Sequence, residues 1–182
     1  DDWATMHLNG LPTGNTVPST QFPHLSFGGW HPVQITNGFV CGNNCLDFYV
    51  TNAWTFPNPT GLRAQLTNVF NNCCCQPAQT VFSVFSGQVA AGPLPVGTPD
   101  TQFALTCAPP GVSVTTPVVV KPNPFWLPNG PSSQWIGPDP SNIGPGGVYC
   151  YTLSFNLPPC TSGNPTYRVT GGWMGDDAGT IL

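Results

Sequence analysis

The stretch WMGDDAGTIL at residues 173–182 is the basis of the fold prediction. The chain opens on a partial copy of it, DDWATMHLNG at residues 1–10. Both segments contain Asp-Asp, two small or aromatic residues, Thr and then apolar residues. A short apolar strand leaves backbone N–H and C=O groups that a compact protein must pair or cover. We therefore expect both segments to suit one position in a sheet, the alternative being a coincidence within a low-complexity β sequence.

Composition predicts a folded chain that is rich in strands and loops. The 182 residues include 21 Gly and 23 Pro, which excludes long helices and indicates turns every few residues. Aromatic residues make up 12% of the chain, which is typical of a domain with a core rather than of a disordered segment. The length suits one large all-β domain or two small ones.

The charge of the chain limits the partners that it can have. Lys and Arg together number three, Asp accounts for all seven acidic residues, and the net charge is −4. Binding to nucleic acid or to an anionic membrane surface needs clustered basic residues, so we expect neither. No apolar run is long enough for membrane insertion. A surface with so few charges repels copies of itself weakly, which suits a protein that packs against its neighbours.

The cysteines predict disulfides and therefore an oxidising, extracellular location, secreted or at a cell surface. Their spacing favours a bridge across the turn at residues 42–44, a second within the segment VYCYTLSFNLPPC (148–160), and a third from the CCC run to position 107. Two cysteines of that run are left over, and a bridge between molecules is one alternative. Zinc is the less favoured one, because adjacent residues cannot all face one tetrahedral ion without strain. The eight cysteines are Cys41, Cys45, Cys73, Cys74, Cys75, Cys107, Cys150 and Cys160.

Alternating apolar residues and turn signals place the strands. The segment 38–54 predicts a hairpin whose turn is Gly42-Asn43-Asn44. Further strands are expected at residues 33–36, 62–66, 81–85, 102–107, 112–120 and 149–155. The segment NNCCCQPAQ indicates a Cys-rich junction, so the chain divides into residues 1–70, a junction at 71–78, and residues 79–182.

Several blocks together resemble a family of bacterial secreted domains. The blocks are SQWIGP (133–138), GGVYCYTLSFNL (146–157), TYRVTGGWMGDDAGTIL (166–182), LNG (8–10), GFVCGNNCLDFYVTN (38–52) and PTGLR (59–63). The family is a jelly-roll, carbohydrate-binding-module-like domain found in cell-surface proteins, including those with a PEP-CTERM sorting tail. The resemblance implies an all-β, loop-rich, disulfide-stapled jelly-roll or Ig-like β-sandwich that binds glycans or mediates adhesion.

The order of the blocks differs from that of the family. Residues 1–70 resemble the C-terminal half of the jelly-roll and residues 79–182 the N-terminal half, so the chain is circularly permuted relative to the family. Three explanations are a permuted monomer, an excerpt of a tandem array, and a subunit whose halves complete one another between neighbours. The duplicated strand favours the last two, because a simple permutation needs one copy.

These observations predict a structural subunit of an extracellular filament, whose partners are copies of itself. The C-terminal strand of one unit would lie beside, or in place of, the N-terminal strand of the next, giving a head-to-tail polymer. The residues expected at this joint are Met6, Leu8, Trp173, Thr180, Ile181 and Leu182. The alternative is a carbohydrate-binding or adhesive module of a cell-surface protein.

Other candidate sites are weaker. Asp176 and Asp177 could hold a structural Ca²⁺, although a solvated turn is the simpler interpretation, and no other cofactor is expected. Aromatic rings could stack on sugars; the candidates are Trp3, Trp30, Trp54, Trp126, Trp135, Trp173, Tyr49 and Tyr151, of which Trp54, Trp126 and Trp135 are the predicted platform. The chain has no glutamate, no nucleophile elbow and no regular histidine spacing, so we expect no enzymatic activity.

Overall fold

The computed structural model describes residues 4–17, 27–53, 55–72, 79–157 and 166–177. Within these ranges the chain forms strands, turns and loops. None of the described residues forms a helix that could cross a membrane. The strands are β1 Ala4–Leu8, β2 Leu11–Val17, β3 His31–Ile35, β4 Gly42–Asn52, β5 Asn58–Asn72, β6 Gln79–Phe85, β7 Gln88–Val89, β8 Gly92–Pro93, β9 Phe103–Cys107, β10 Val118–Val119, β11 Ile136–Gly137, β12 Ile143–Gly144, β13 Gly147–Leu157 and β14 Thr166–Asp177.

Two large antiparallel sheets make up most of the described fold, and β7 and β8 form a separate two-stranded sheet. The first sheet has the strand order β2-β1-β4-β13-β9, and the second has the order β10-β11-β5-β14-β3, with β6 and β12 also paired to β5. Side chains from both sheets form one buried cluster, so the sheets face each other across a shared core. The predicted all-β, sandwich-like fold is confirmed. The jelly-roll or Ig-like topology and the permutation stay predictions.

Alternation along the strands sets the core, as the sequence predicted. In β4 the side chains of Leu46, Phe48 and Val50 are buried, whereas the intervening residues are partly exposed. Trp173 of β14 lies opposite them, with its ring centroid 5.6 Å from that of Phe48. An aromatic pair at this distance adds to the burial of both rings.

The predicted hairpin turn at residues 42–44 is wrong. These residues begin β4 and pair with β13, because the bend comes earlier, at residues 37–41. The buried Asn44 fixes that bend: its Nδ2 donates to the Val40 carbonyl (2.8 Å), and the Val40 N–H donates to Asn44 Oδ1 (2.9 Å). The predicted strands 62–66, 81–85 and 149–155 lie within observed ones, and 33–36 and 102–107 each extend one residue beyond β3 and β9. The predicted strand 112–120 contains only the short β10.

The two predicted halves do not form separate layers. In the first sheet β4 lies between β1 and β13, and in the second sheet β5 pairs with β14. Each sheet therefore draws strands from residues 1–70 and from residues 79–177. Residues 71–72 of the predicted junction end β5, and residues 73–78 lie outside the described residues.

One disulfide, Cys107–Cys150, joins the edge strand β9 to β13, with the two Cα atoms 4.8 Å apart. The predicted bridges from Cys150 to Cys160 and from Cys107 to the CCC run are therefore wrong. The predicted Cys41–Cys45 bridge is also wrong: both are free thiols, because the chain is extended from Gly42 into β4. The remaining cysteines, Cys73, Cys74, Cys75 and Cys160, lie outside the described residues.

Replacing both Cys107 and Cys150 by Ala should lower the free energy of unfolding by about 2–5 kcal/mol, because the bridge closes a long loop of the unfolded chain. The measurement is urea denaturation followed by tryptophan fluorescence. The control is Cys41→Ala at an exposed free thiol, which should change stability by less than about 0.5 kcal/mol. Equal denaturation midpoints for the double variant and the parent would contradict a structural role for this bridge.

Candidate functional site

We define the strand slot as the position of β1 between β2 and β4. Each residue of β1 from Ala4 to Leu8 has a partner in β4, with Met6 opposite Phe48, and β2 pairs with the other edge. The inward side chains Ala4, Met6 and Leu8 are at most 3% exposed. The slot therefore requires a strand with a small residue and two larger apolar residues at alternate positions.

The far end of the slot is closed by a tight turn at Asn9-Gly10. Asn9 adopts a positive φ of 52°, which Asn tolerates better than most residues. Its Oδ1 accepts from the Cys45 N–H (2.9 Å), and its N–H donates to the Cys45 carbonyl (2.8 Å). These bonds fix where β1 ends relative to β4.

The near end of the slot lies against the end of β14. A Cβ placed on Gly175 would be 3.4 Å from the Cβ of Ala4 and 3.4 Å from Cγ2 of Val50. Two residues later, Asp177 pairs with Thr60 as the last described residue of the chain. The segment 178–182, which repeats the pattern of β1, thus follows in sequence from a strand that contacts the start of the slot.

A subunit whose halves complete one another between neighbours would have an incomplete sheet on its own, and the structure differs from this expectation at β1 and β14. β1 is paired on both sides within its own chain, and β14 is paired on both sides by β5 and β3. Met6, Leu8 and Trp173 accordingly lie in the core of their own molecule. Thr180, Ile181 and Leu182 lie outside the described residues.

Asp176, half of the predicted Ca²⁺ pair, is buried, and its Oδ2 accepts a hydrogen bond from Trp126 Nε1. The side chain of Asp177 lies outside the described residues. Among the residues that are described, no three His, Cys, Asp or Glu side chains come together as a metal site. The structure therefore brings the carboxylate of Asp176 together with the indole of Trp126.

The predicted sugar-stacking platform does not form at Trp126 and Trp135. Both are buried, with ring centroids 4.3 Å apart, in a second cluster with Phe27, Val120 and Met174. Trp135 Nε1 also donates to the Leu127 carbonyl (2.8 Å). Neither ring offers a face to solvent, because each packs on the other. Trp54 lies outside the described residues.

Trp30, one of the wider set of aromatic candidates, has the accessible ring instead. It is 38% exposed and overlooks a shallow groove of about 400 Å³ on the outer face of the second sheet. We call this the Trp30 groove; its lining residues are Trp30, Pro32, Gln65, Thr67, Thr170, Gly171 and Gly172. Gly28 and Gly29 before Trp30 were the sequence signal that this ring lies in a loop rather than inside a strand.

Arg63 holds the Trp30 ring in place. Its guanidinium carbon lies 4.9 Å from the Trp30 centroid, within the range of a cation–π interaction. Arg63 Nε donates to Ser133 Oγ (2.9 Å) and Nη1 to the Pro128 carbonyl (2.6 Å). Burial lowers the pKa of Arg63 to about 10, so the group still carries its charge at neutral pH.

Two glycines of β14 make the floor of the groove. A Cβ on Gly172 would lie 3.0 Å from Cε3 of Trp30, and one on Gly171 would lie 2.1 Å from the carbonyl oxygen of Gln65. The register of β14 against β5 shifts between Thr170 and Gly171, which indicates a bulge. Because of the bulge, and because Gly171 and Gly172 carry no side chains, the Trp30 indole and β5 both lie close to the backbone of β14.

Replacing Gly171 by Ala should lower the free energy of unfolding by about 3 kcal/mol, because the new methyl would overlap a backbone carbonyl that cannot move without breaking the sheet. Thermal denaturation measures the effect. Gly29→Ala is the matched control, since nothing lies within 4 Å of a Cβ at that position. Similar melting temperatures for the two variants would show that the bulge is not as tightly packed as the structure has it.

No protein-family model, curated protein or solved structure matches this chain. The resemblance to secreted jelly-roll domains therefore stays a prediction. The features on which a functional proposal can rest are the strand slot, the Trp30 groove and the repeated segment of sequence.

Proposed function

We propose that this protein is a structural subunit of an extracellular filament, in which copies join head to tail by exchanging β-strands in the strand slot. In the joint, residues 178–182 of one copy occupy the slot of the next copy in place of β1. The observation that carries the proposal is that DDAGTIL (176–182) repeats the pattern of DDWATMH (1–7), the segment that leads into the slot as β1.

The repeat matches the slot at the positions from Ala4 to His7, and the alignment does not reach Leu8. Aligning the Asp-Asp pairs places Gly179 at the position of Ala4 and Ile181 at that of Met6, both of which face inward in β1. Thr180 then takes the position of Thr5, which faces outward. The small and large inward residues thus alternate in the same order in both segments.

The end of β14 supports the same proposal. A Cβ on Gly175 would lie 3.4 Å from the Cβ of Ala4, so β14, which leads in sequence into the second segment, packs close to the start of β1. Only one of the two segments can pair with β4 in a given molecule. The other then has the pattern to fill a slot in a neighbour, and repetition of this contact gives an open chain of subunits.

In the proposed exchange, the incoming segment would replace the part of β1 from Ala4 to His7. An incoming segment would form the same kind of backbone ladder with β4, and an inward Ile or Met side chain contributes about 1.5–3 kcal/mol when it is fully buried. The low charge of the chain, −4 in total, opposes such contact only weakly. The disulfide is compatible with the proposed extracellular location.

Disulfide trapping tests which segment occupies the slot. Thr5 pairs with Tyr49 of β4, so the double variant Thr180→Cys/Tyr49→Cys should form a covalent ladder of oligomers when mild oxidant is added to assembled protein. The readout is a non-reducing gel, and the single variants Thr180→Cys and Tyr49→Cys control for the native thiols. Monomeric products alone from this double variant, together with an intramolecular disulfide in Thr5→Cys/Tyr49→Cys, would contradict strand exchange.

A pair of substitutions in the repeated segment tests the register. Ile181→Asn should abolish filaments, because its side chain would be buried in the apolar core of the neighbour without a hydrogen-bond partner. Leu182→Asn, at the outward position equivalent to His7, should leave assembly within about twofold of the parent. Light scattering and negative-stain electron microscopy measure both, and equal assembly by the two variants would contradict the alignment.

The second candidate function is a carbohydrate-binding or adhesive module. The Trp30 groove favours it, because an accessible indole beside neutral polar side chains is a common basis of sugar recognition.

A further inference from the structure

We propose that Asn37, in the bend that precedes β4, is a site of spontaneous deamidation, and that the isoaspartate product loosens the hold on β1. The nucleophile is the backbone nitrogen of Gly38, the next residue in the chain. This reaction needs no second copy of the chain. Only its effect on assembly rests on the proposed strand exchange.

The reaction exchanges one C–N bond for another and then consumes water. A bond forms between the Gly38 nitrogen and Cγ of Asn37, while the bond from Cγ to Nδ2 breaks. Nδ2 leaves as ammonia, which takes up the proton of the Gly38 N–H. Water then opens the cyclic imide at either carbonyl, giving aspartate or an isoaspartate whose main chain runs through the former side chain.

Three Asn-Gly sequences occur in the chain, at residues 9–10, 37–38 and 129–130. Glycine has no side chain to shield its own nitrogen, so each sequence has the composition that the reaction needs. Their surroundings differ. Asn37 and Gly38 are both exposed, whereas Asn9 and Asn129 are half-buried.

The reacting groups at residues 37–38 are also free to rearrange. Among the described residues, no hydrogen bond joins the Asn37 side chain or the Gly38 N–H to another group. Gly38 has a positive φ of 85° and lies in the irregular segment between β3 and β4. No sheet pairing therefore has to break before the Gly38 nitrogen approaches Cγ of Asn37.

Hydrogen bonds hold the amide of Asn9 in place. Its Nδ2 donates to the Gly38 carbonyl and to Asn44 Oδ1, both at 2.9 Å. Its Oδ1 accepts from the Cys45 N–H at 2.9 Å. The side chain therefore has to lose several bonds before its Cγ can turn toward the following nitrogen.

The third sequence is held at both reacting groups. The Gly130 N–H donates to the Ser133 carbonyl at 3.0 Å, which occupies the nucleophile. Asn129 Oδ1 accepts from the Trp135 N–H at 2.7 Å, which fixes the amide. The structure thus supplies two internal controls, one with a fixed amide and one with both groups fixed.

Gly38 is in direct contact with the far end of the strand slot. A Cβ on Gly38 would lie 3.4 Å from Cδ2 of Leu8, the last inward residue of β1. The Gly38 carbonyl also accepts from Asn9, which follows Leu8 and fixes the end of β1 against β4. The position of Gly38 is therefore coupled to the position of β1.

Isoaspartate at position 37 adds a carbon to the main chain between its own Cα and the Gly38 nitrogen. Gly38 cannot keep both its contact with Leu8 and its bond to Asn9 unless the added carbon is accommodated elsewhere in the bend. We expect the bond to weaken and β1 to open more often. In the proposed exchange, the deamidated molecules are then the ones that yield their slot most readily.

The first test compares the rates at the three sites in the native full chain. The protein is aged at mildly alkaline pH, digested at mildly acidic pH, and each Asn-Gly peptide is quantified by mass spectrometry. Asn37 should react about tenfold or more faster than Asn9 and Asn129, because reaction there breaks no hydrogen bond. Methylation by an isoaspartyl methyltransferase identifies the isoaspartate fraction.

The second test measures hydrogen exchange of the β1 amides, Ala4–Leu8, in monomeric protein. Ageing the parent should speed this exchange about tenfold, as expected when one hydrogen bond that restrains the strand is lost. Asn37→Gln, whose longer side chain places the amide badly for ring closure, is aged alongside and should not change. Asn37→Asp carries the charge of the product on a normal main chain and should exchange like the fresh parent.

Several results would overturn the proposal. They are equal rates at the three Asn-Gly sequences, faster reaction at Asn9 or Asn129 than at Asn37, and β1 exchange that is the same in aged parent and aged Asn37→Gln. Rapid exchange in fresh Asn37→Asp would assign the effect to charge and not to the added carbon. Absence of filaments from every sample would count against the proposed function alone, since neither measurement involves a second copy.

Discussion

The pairing of β1 with β4 is the constraint on which the rest of the structure depends. It completes the first sheet between β2 and β13, and it buries Ala4, Met6 and Leu8 against the second sheet. Without a strand at this position, β4 would expose a row of backbone groups and an apolar core. The fold specifies which side chains are needed there, and in the proposed exchange a segment of a neighbouring copy would form this ladder with β4.

The second sheet serves two purposes on its two faces. Its inner face carries Trp173 and the core, and its outer face is partly covered by the loop that places Trp126 and Trp135 over Met174. Where that cover ends, Arg63 holds Trp30 above a floor of glycine. The strand slot of the proposed exchange therefore lies in the first sheet, and the Trp30 groove lies on the outer face of the second sheet.

The sequence predicted features that follow from local pattern, and it failed where distant segments meet. Alternation in residues 46–50 placed β4 in the core, since a period of two residues is a local property of a strand. The partner of Cys150 was wrong because Cys107 is its neighbour only through the pairing of β9 with β13. Trp126 and Trp135 were assigned to a surface for the same reason, as the side chains that bury them come from other strands. The Trp30 groove depends on the bulge near Gly171, and no sequence motif predicts that bulge.

The most direct test of strand exchange is a helical reconstruction of the assembled protein by electron cryo-microscopy, at a resolution that distinguishes side chains in the slot. We predict uniform filaments in which the strand beside Phe48 shows Gly179, Thr180 and Ile181 and traces back to the neighbouring subunit. Separate particles, each with Ala4, Thr5 and Met6 of its own chain in the slot, would contradict this account.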